Sequence, residues 1–347
     1  MHGGGVGWGA LLLAALLAGC RAAPPAVAVA LPATAQAGLE TRFGPDMVRL
    51  SGDGTEVARR LVDAVSLARR SIDAEIYEFY RPDLVAAMAA ATRRGVRVRV
   101  LMDPTVTQDA ATAATLRAAG AAVWFFPDGQ YQIDHIKLLV VDGVTAFFGG
   151  MNWGSRSYLN HDFELELHGP HAACLESIFA GDVAHSGGPA GGGLAPAPCA
   201  WSGVRVATTF PYAGIQPEVL HAIDGATGDV FLEMYVLTDA GAISALVRAA
   251  ERGVAVRVLL DPEQPQNRVA LQQLAGGGVV ARFYRSGGEL LHAKAMVVDG
   301  HVLVIGSANW SRSGFTRNHE LDAVLDSPAL AQAALRRMET DWRASTG

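Results

Sequence analysis

Apolar residues follow two different spacings along most of this chain. Residues 55–70 carry apolar positions on one side of a helix, whereas residues 96–102 form a short apolar run typical of a buried strand. Gly95 ends a second predicted helix. The other elements predicted for this half are a strand at 72–77, helices at 82–94 and 110–119, and strands at 122–126, 135–141 and 144–148. Alternating strands and helices predict an α/β layer structure.

The second half of the chain repeats the first. Residues 94–104 match residues 252–262, and residues 75–77 match residues 233–235, both with an offset of 158. A Gly- and Pro-rich stretch separates the copies. We therefore predict a first repeat at 39–185, a linker at 186–200 and a second repeat at 201–347.

One polar motif occurs once in each copy. It consists of a histidine, a lysine two residues later, an aspartate at a turn, and a Gly-containing segment that ends in asparagine. The histidines are 157 residues apart (292 − 135), as are the asparagines (309 − 152). The members are His135, Lys137, Asp142 and Asn152 in the first copy, and His292, Lys294, Asp299 and Asn309 in the second. Such a pair predicts one active site built from two similar halves.

The residue types of this motif suit chemistry on a phosphate. Side chains two apart on a strand share a face, so each histidine should project beside its lysine. Lysine supplies positive charge for a phosphate oxygen, and imidazole can attack phosphorus or donate a proton near neutral pH. The asparagine amides would stabilise charge that develops on the non-bridging oxygens.

This constellation resembles the signature of the phospholipase D superfamily, H-x-K-x4-D-x6-G-S-x-N in two copies. The resemblance implies an α/β fold in which two tandem phospholipase D-like α/β/α repeats pack as one pseudo-twofold unit with the active site between them. It also implies a phosphodiesterase that works through a covalent phosphohistidine, with no metal and no other cofactor. Because both half-sites lie in one chain, we expect the protein to act as a monomer.

The resemblance also assigns roles to individual residues. In the family the amino-terminal histidine is usually the nucleophile, which points to His135, with His292 as general acid and base; sequence symmetry alone leaves this order open. An acidic residue downstream of each motif holds the catalytic histidine in the correct tautomer. Asp162 and Glu320 occupy those places, and their neighbours Glu164 and Asp322 are alternatives.

Three further positions complete the predicted site. Ser307 matches the signature serine and is expected to bind phosphate, whereas the first copy has Gly150 there. Asp142 and Asp299 belong to the signature and are candidate supporting carboxylates. Their position at hairpin turns favours a structural role.

The amino terminus predicts export. An Ala/Leu-rich run precedes Leu17-Ala-Gly-Cys20, which resembles a bacterial lipobox in which Cys20 is lipidated, although residues 1–10 contain no Lys or Arg. Residues 21–38 would tether the enzyme to a membrane surface in the cell envelope. The alternatives are an ordinary signal peptide with a soluble secreted product, and a misplaced start codon. In that oxidising compartment, Cys174 and Cys199 are expected to form a disulfide.

The net charge and the predicted membrane anchor favour phospholipid over nucleic acid as the substrate. The formal net charge of −6 lacks the basic excess usual for nucleic-acid binders. Phospholipase D-type hydrolysis or head-group exchange on phospholipids is therefore the primary expectation. The alternatives are an exported endonuclease and a cardiolipin synthase-type transferase, although that branch resembles proteins with amino-terminal spanning helices. A non-catalytic phosphate- or lipid-binding lipoprotein is a remote fourth, suggested only by Gly150.

Overall fold

Each half of the chain forms an eight-stranded mixed sheet in the computed structural model. The structure describes Met1 and residues 38–127, 133–189, 199–211, 213–285 and 288–345. All of these except Met1 belong to a single unit, Gln36–Gly347. The expected export signal, tether and Cys20 therefore lie outside the described residues.

The first repeat contains eight strands and four α-helices within its described part. The strands are β1 (Leu39–Phe43), β2 (Asp46–Ser51), β3 (Ser71–Ile76), β4 (Arg97–Met102), β5 (Ala122–Phe125), β6 (Lys137–Val141), β7 (Thr145–Gly149) and β8 (Glu164–His168). The helices are α1 (Gly54–Leu67), α2 (Pro82–Arg93), α3 (Asp109–Ala119) and α4 (Ala172–His185), with a short 3-10 turn at Ser157–Leu159.

The second repeat has the same order of elements. Its strands are β9 (Cys199–Trp201), β10 (Val204–Thr208), β11 (Asp229–Met234), β12 (Ala255–Leu260), β13 (Val280–Phe283), β14 (Lys294–Val298), β15 (Val302–Gly306) and β16 (Leu321–Asp326). Its helices are α5 (Ile215–Asp224), α6 (Ala240–Glu251), α7 (Asn267–Gly276), α8 (Arg312–Thr316) and α9 (Pro328–Ala344).

The two sheets share one topology. The first runs β1-β2-β8-β7-β6-β3-β4-β5, and the second runs β9-β10-β16-β15-β14-β11-β12-β13. Within each sheet three strands are parallel, β3-β4-β5 and β11-β12-β13, and the motif hairpin pairs antiparallel to the first strand of that set. The α/β expectation and the tandem repeat are therefore confirmed.

Helices cover both faces of each sheet. On β6, Leu138 and Val140 enter a core shared by both repeats, whereas Leu139 and Val141 pack under the outer helices α1–α3. Helices α4 and α9 contribute to the shared core, and α5–α7 cover the outer face of the second sheet. Because both faces are buried, the central strands are continuously apolar rather than alternating.

Local signals explain most element boundaries. Asp53 caps α1 by accepting hydrogen bonds from the backbone N–H groups of Thr55 and Glu56, and α1 buries Val57 and Leu61 on the side facing the sheet. The hairpin turns have left-handed residues, with φ of 54° at Asp142.

The structure corrects several sequence predictions. Strands β1, β2 and β8 and helix α4 were not predicted, and the linker ends before Cys199, which already belongs to β9. β6 begins at Lys137, so His135 lies just before the strand rather than on it. Cys174 and Cys199 form a disulfide with a Cα–Cα distance of 5.8 Å, as expected. No helix among the described residues is long and apolar enough to cross a membrane.

The motif aspartates support the fold rather than the histidines. Asp142 accepts hydrogen bonds from the backbone N–H groups of Arg69, Arg70 and Ser71, and Asp299 holds the start of β11 in the same way. Each lies at the end of its strand opposite the histidine, about 20 Å away for seven extended residues. The structural role that their turn positions favoured is therefore confirmed for Asp142 and Asp299, and their candidate role as supporting carboxylates for the histidines is corrected.

Asn267 and Asp109 occupy equivalent buried positions in the two repeats but differ in their hydrogen bonds. Asn267 accepts from Leu237 N–H at 3.0 Å, and its amide donates to backbone carbonyls. Its counterpart Asp109 accepts from Phe79 N–H at 2.9 Å, but its other oxygen has no hydrogen-bond partner among the described residues. Burial raises the pKa of Asp109 to about 7. A protonated Asp109 can donate as the amide does.

We predict that Asp109→Asn stabilises the protein above pH 7. An aspartate with a raised folded-state pKa loses stability as pH rises from about 4 to about 7, because the unfolded chain ionises first. The variant should gain roughly 1–3 kcal/mol at pH 8, measured by denaturant unfolding, and little at pH 4. Asn267→Asp is the matched control and should lose stability at pH 8. Equal effects at both pH values would contradict the assignment.

Candidate active site

The motif segments of the two repeats meet through exchanged backbone hydrogen bonds. His135 N–H donates to the carbonyl of His319 at 2.7 Å, and His292 N–H donates to the carbonyl of His161 at 2.9 Å. In return, His319 N–H donates to Ile133. Each catalytic histidine candidate is therefore fixed by a segment of the other repeat, and neither half-site is complete alone.

The histidine–carboxylate pairs also cross between repeats. His135 Nδ1 lies 2.8 Å from Glu320 Oε2, and His292 Nδ1 lies 2.9 Å from Asp162 Oδ1. We predicted that each carboxylate holds the histidine of its own motif, and this prediction is wrong. A carboxylate on Nδ1 fixes the tautomer and leaves Nε2 for chemistry.

The two lysines are buried beside the histidines. Lys137 Nζ donates to the carbonyl of His135 at 2.5 Å, and Lys294 Nζ lies 3.1 Å from His292 Nε2. Tyr77 packs edge-on against His135 with 4.9 Å between ring centroids, and Lys137 Nζ lies 5.3 Å from the centre of the same ring. Tyr235 repeats this arrangement with His292 and Lys294. The predicted grouping of histidine and lysine is therefore present in both halves.

Burial and mutual repulsion lower the proton affinity of these cations. Burial, followed by Lys137 and Lys294, holds the pKa of His135 well below its ordinary value. Burial also lowers the pKa of Lys137 to about 7 and that of Lys294 to about 8. Two lysines and two histidines whose protonated forms repel one another form a site that favours an anion, because an anion offsets that repulsion.

The two supporting carboxylates differ electrostatically. Burial favours a raised pKa at Asp162, but the contact with His292 and the charge of Lys294 outweigh it and lower the pKa. Burial raises the pKa of Glu320 to about 7, despite Lys137 and the hydrogen bond from Ser307. Asp162 is therefore the more strongly ionised partner, and an ionised partner stabilises a protonated imidazole.

Ser307 holds a carboxylate rather than facing the anion. Its hydroxyl is completely buried, donates to Glu320 Oε2 at 2.6 Å and accepts from Leu321 N–H. Asn318, which sequence reasoning did not assign, donates to the other oxygen of Glu320 at 3.0 Å. With its proton committed, Ser307 has none for a phosphate oxygen, so its predicted phosphate contact is corrected to support of Glu320. The signal that could have found Asn318 is a triplet that occurs in both repeats, Asn160-His161-Asp162 and Asn318-His319-Glu320.

Gly150 makes room for Asp162. A Cβ at position 150 would lie 2.6 Å from Asp162 Oδ1, far inside van der Waals contact. The second copy combines a serine with the longer Glu320, whereas the first combines glycine with the shorter aspartate. The departure from the signature is therefore compensated within the first copy.

The remaining motif residues divide between site and scaffold. Asn152 and Asn309 lie just after β7 and β15 and are half-buried, with side-chain oxygens that accept no hydrogen bond among the described residues. Trp153 is buried in the core and packs edge-on against Phe79. The alternatives to the supporting carboxylates, Glu164 and Asp322, instead accept from the backbone N–H groups of the Gly-containing segments.

Comparison with known proteins identifies the family. A family model described as "Cardiolipin synthase, PLD-like domain" matches residues 61–182 and again 219–342, one match in each repeat and more than half of the chain together. The chain belongs to this phospholipase D-like family. It is an enzyme of the phospholipase D superfamily.

Relatives and solved structures agree with this assignment. Cardiolipin synthase A of Pseudomonas putida (strain W619) is 27% identical over 86% of this chain and 68% of its own length. Cardiolipin synthase A of Pseudomonas fluorescens (strain SBW25) is 28% identical over 84% of this chain and 67% of its own. The structure of phosphatidylserine synthase from Haemophilus influenzae Rd KW20 shares the fold with a TM-score of 0.67, at 13% identity, over 90% of this chain and 89% of that one.

Removing one exchanged carboxylate of the phospholipase D-like site should affect the histidine of the other repeat. We predict that Glu320→Gln changes the nitrogen chemical shifts and titration of His135 and leaves those of His292 nearly unchanged. Asp162→Asn is the matched control, with the opposite result. Histidine side-chain NMR measures both. Turnover of a phosphodiester should fall by roughly 10²–10⁴ in each variant. A response at the histidine of the same repeat would contradict the exchange.

Restoring the signature serine should impair the enzyme. Gly150→Ser pushes Asp162 away from His292, so we expect at least about a 10-fold loss of turnover and a shifted titration of His292. Combined with Asp162→Asn, the loss should be clearly smaller than the product of the two single losses, because both act through one contact. Increased activity in Gly150→Ser would contradict this account, because it would show that the first copy lacks a useful serine hydroxyl and that glycine is not needed to make room for Asp162.

Proposed function

We propose that this protein is a phosphatidyltransferase of the cardiolipin synthase type. It would transfer a phosphatidyl group from one phospholipid to the alcohol of another through a covalent phosphohistidine. The observation that carries the proposal is the similarity to cardiolipin synthases over 84–86% of the chain, with one family match in each repeat. Head-group hydrolysis, the primary expectation from the sequence, is the same chemistry with water as acceptor and becomes the second candidate.

The first step would form the phosphohistidine. His135 Nε2 attacks phosphorus, the bond from phosphorus to the head-group oxygen breaks, and His292 protonates that oxygen. Lys137, Lys294 and the two asparagine amides would bind the non-bridging oxygens as charge develops on them. No metal ion is needed, because the lysines supply the positive charge.

The second step would transfer the group to the acceptor. His292, now neutral, accepts the proton of the incoming alcohol, whose oxygen attacks phosphorus, and the bond from phosphorus to nitrogen breaks. With a phosphatidylglycerol donor and a phosphatidylglycerol acceptor, the products are cardiolipin and glycerol. Both histidines then return to their starting states.

The electrostatic difference between the halves supports His135 as the nucleophile. The pKa of His135 is depressed further than that of His292, whose lowering by burial is opposed by Asp162. A nucleophilic imidazole must be neutral, and a general acid must hold a proton. His292, beside ionised Asp162, is the better proton carrier of the two.

Location and assembly complete the proposal. The lipobox-like segment ending at Cys20 supports export and attachment to a membrane surface, where both lipid substrates reside. Both half-sites come from one chain, which supports action as a monomer. A net charge of −6 speaks against nucleic acid as the main substrate, although its phosphodiesters suit the same chemistry.

Product analysis tests the proposal. The full chain would be incubated with phosphatidylglycerol vesicles, and products quantified by mass spectrometry, with Lys294→Ala as an inactive control. Transfer predicts cardiolipin and free glycerol in equal amounts. Formation of phosphatidic acid without cardiolipin would show that the enzyme is a hydrolase and not a transferase. Cleavage of DNA without lipid turnover would overturn both.

The lysines predict an alkaline limit to activity. Since the pKa of Lys137 is lowered to about 7 and that of Lys294 to about 8, the free enzyme loses ammonium charge as pH rises through this range. Because His292 must be protonated as the general acid and burial lowers its pKa, we expect kcat/KM to be falling already at neutral pH and to fall further up to about pH 9 as the lysines lose their charge. The acid limb should lie well below the ordinary histidine value, because the pKa of His135 is depressed. A rate that still rises at pH 9 would contradict this electrostatic account.

A further inference from the structure

Two more buried clusters lie at the interface between the repeats. In the first, His319 Nε2 lies 3.1 Å from Asp182 Oδ2 and 3.6 Å from Glu75 Oε1. In the second, His161 Nε2 lies 2.8 Å from Glu233 Oε2 and 3.5 Å from Asp341 Oδ2. Each histidine again comes from one repeat and its carboxylates from the other.

Within the described part of the chain, the second cluster contains an arginine, whereas the first does not. Arg337 Nη2 lies 3.0 Å from His161 Nδ1, and Arg337 Nε donates to Asp341 at 3.2 Å. Asp341 and Asp182 are 159 residues apart, and 159 residues before Arg337 is Ile178, which packs in the shared core. The guanidinium therefore has an apolar counterpart.

The first cluster carries an additional carboxylate instead. Asp134 is completely buried, its backbone forms an isolated β-bridge with that of His319, and its charge raises the pKa of His319, whereas the residue 157 positions later is Leu291. With ionised carboxylates and protonated histidines, the first cluster has a formal charge of −2, from three carboxylates and one imidazolium. The second has a formal charge of 0, because Arg337 balances Glu233 and Asp341 together with the imidazolium.

Glu75 shows this shortage of positive charge most directly. Its side chain is completely buried, and neither of its carboxylate oxygens has a hydrogen-bond partner within the described ranges. Burying a carboxylate that accepts no hydrogen bond is costly, because the ionised form loses its hydration. A bound cation or a shared proton would remove this cost.

The spacing of the donor atoms suits a metal ion. The donor atoms of Glu75, Asp182 and His319 all lie within 4.8 Å of one another. Ligands at about 2.0–2.1 Å from a tetrahedral Zn²⁺ are about 3.3 Å apart, close to the 3.1 and 3.6 Å distances from His319 Nε2. We propose that Glu75, Asp182 and His319 bind a divalent metal ion, best matched by Zn²⁺.

The proposed ion would have a structural role. It would join His319 of the second repeat to β3 and α4 of the first, as Arg337 joins His161 to its partners. The carbonyl of His319 receives the N–H of His135, and the next residue, Glu320, holds the ring of His135. The ion would thus fix the segment that positions His135 without taking part in phosphoryl transfer.

Metal analysis of matched variants tests the proposal. Tag-free full-length protein would be purified, and Zn and Mn measured by inductively coupled plasma mass spectrometry, before and after loading with ZnCl₂ and removal of excess. We expect about one ion per chain in the wild type. Glu75→Gln should lose it, whereas the matched variant Glu233→Gln in the arginine-containing cluster should retain it.

Thermal unfolding supplies a second readout that does not depend on activity. Zn²⁺ should raise the melting temperature of the wild type and of Glu233→Gln, but not that of Glu75→Gln. If Glu75→Gln does not fold, Asp182→Asn takes its place. A wild type that binds neither metal after loading, or a Glu75→Gln variant that retains the ion, would overturn the proposal and assign the neutralising charge to a proton. Neither result bears on the proposed transfer reaction.

Discussion

The structure depends on the exchange of contacts between the two motif segments. His135 takes its backbone partner from His319 and its ring partner from Glu320, and His292 takes both from the first repeat. A repeat folded alone would leave a buried histidine without its carboxylate and two short segments without their backbone partners. The two repeats therefore form one site rather than two. Burial of α4 and α9 in a common core holds the halves in the register that this exchange requires.

Small differences between the copies give the symmetric frame a direction. The first copy combines Asp162 with Gly150, and the second combines Glu320 with Ser307. His292 therefore contacts a strongly ionised carboxylate, whereas His135 contacts a carboxylate whose pKa is raised by burial. The two additional buried clusters at the interface between the repeats also differ in charge, since the cluster of His161 contains Arg337 and the cluster of His319 contains the additional Asp134. Such a difference decides which histidine starts protonated and which starts neutral, and a two-step transfer uses one of each.

Sequence alone predicted the elements that carry periodic or repeated signals. The helix and strand order around the motif, the duplicated architecture, the grouping of His135 with Lys137 and the Cys174–Cys199 bridge all followed from spacing and composition. The exchange did not, because the spacings from His135 to Asp162 (27 residues) and from His292 to Glu320 (28 residues) do not show which copy's histidine each carboxylate contacts. The role of Ser307 was missed for a related reason: the sequence does not show that its hydroxyl donates a hydrogen bond to Glu320. Strands β1 and β2 were not predicted, because they lie before the segments that match between the two repeats and contain no long run of apolar residues.

The most direct test of the account is a single-turnover burst with a phosphatidyl p-nitrophenyl ester, whose leaving group needs no general acid. His292→Asn should release about one equivalent of p-nitrophenol per enzyme and then stall, with the phosphatidyl group on His135 by peptide mass spectrometry. His135→Asn should give no burst. A burst in His135→Asn with the adduct on His292 would reverse the assigned direction, and the absence of any histidine adduct would contradict the covalent mechanism itself.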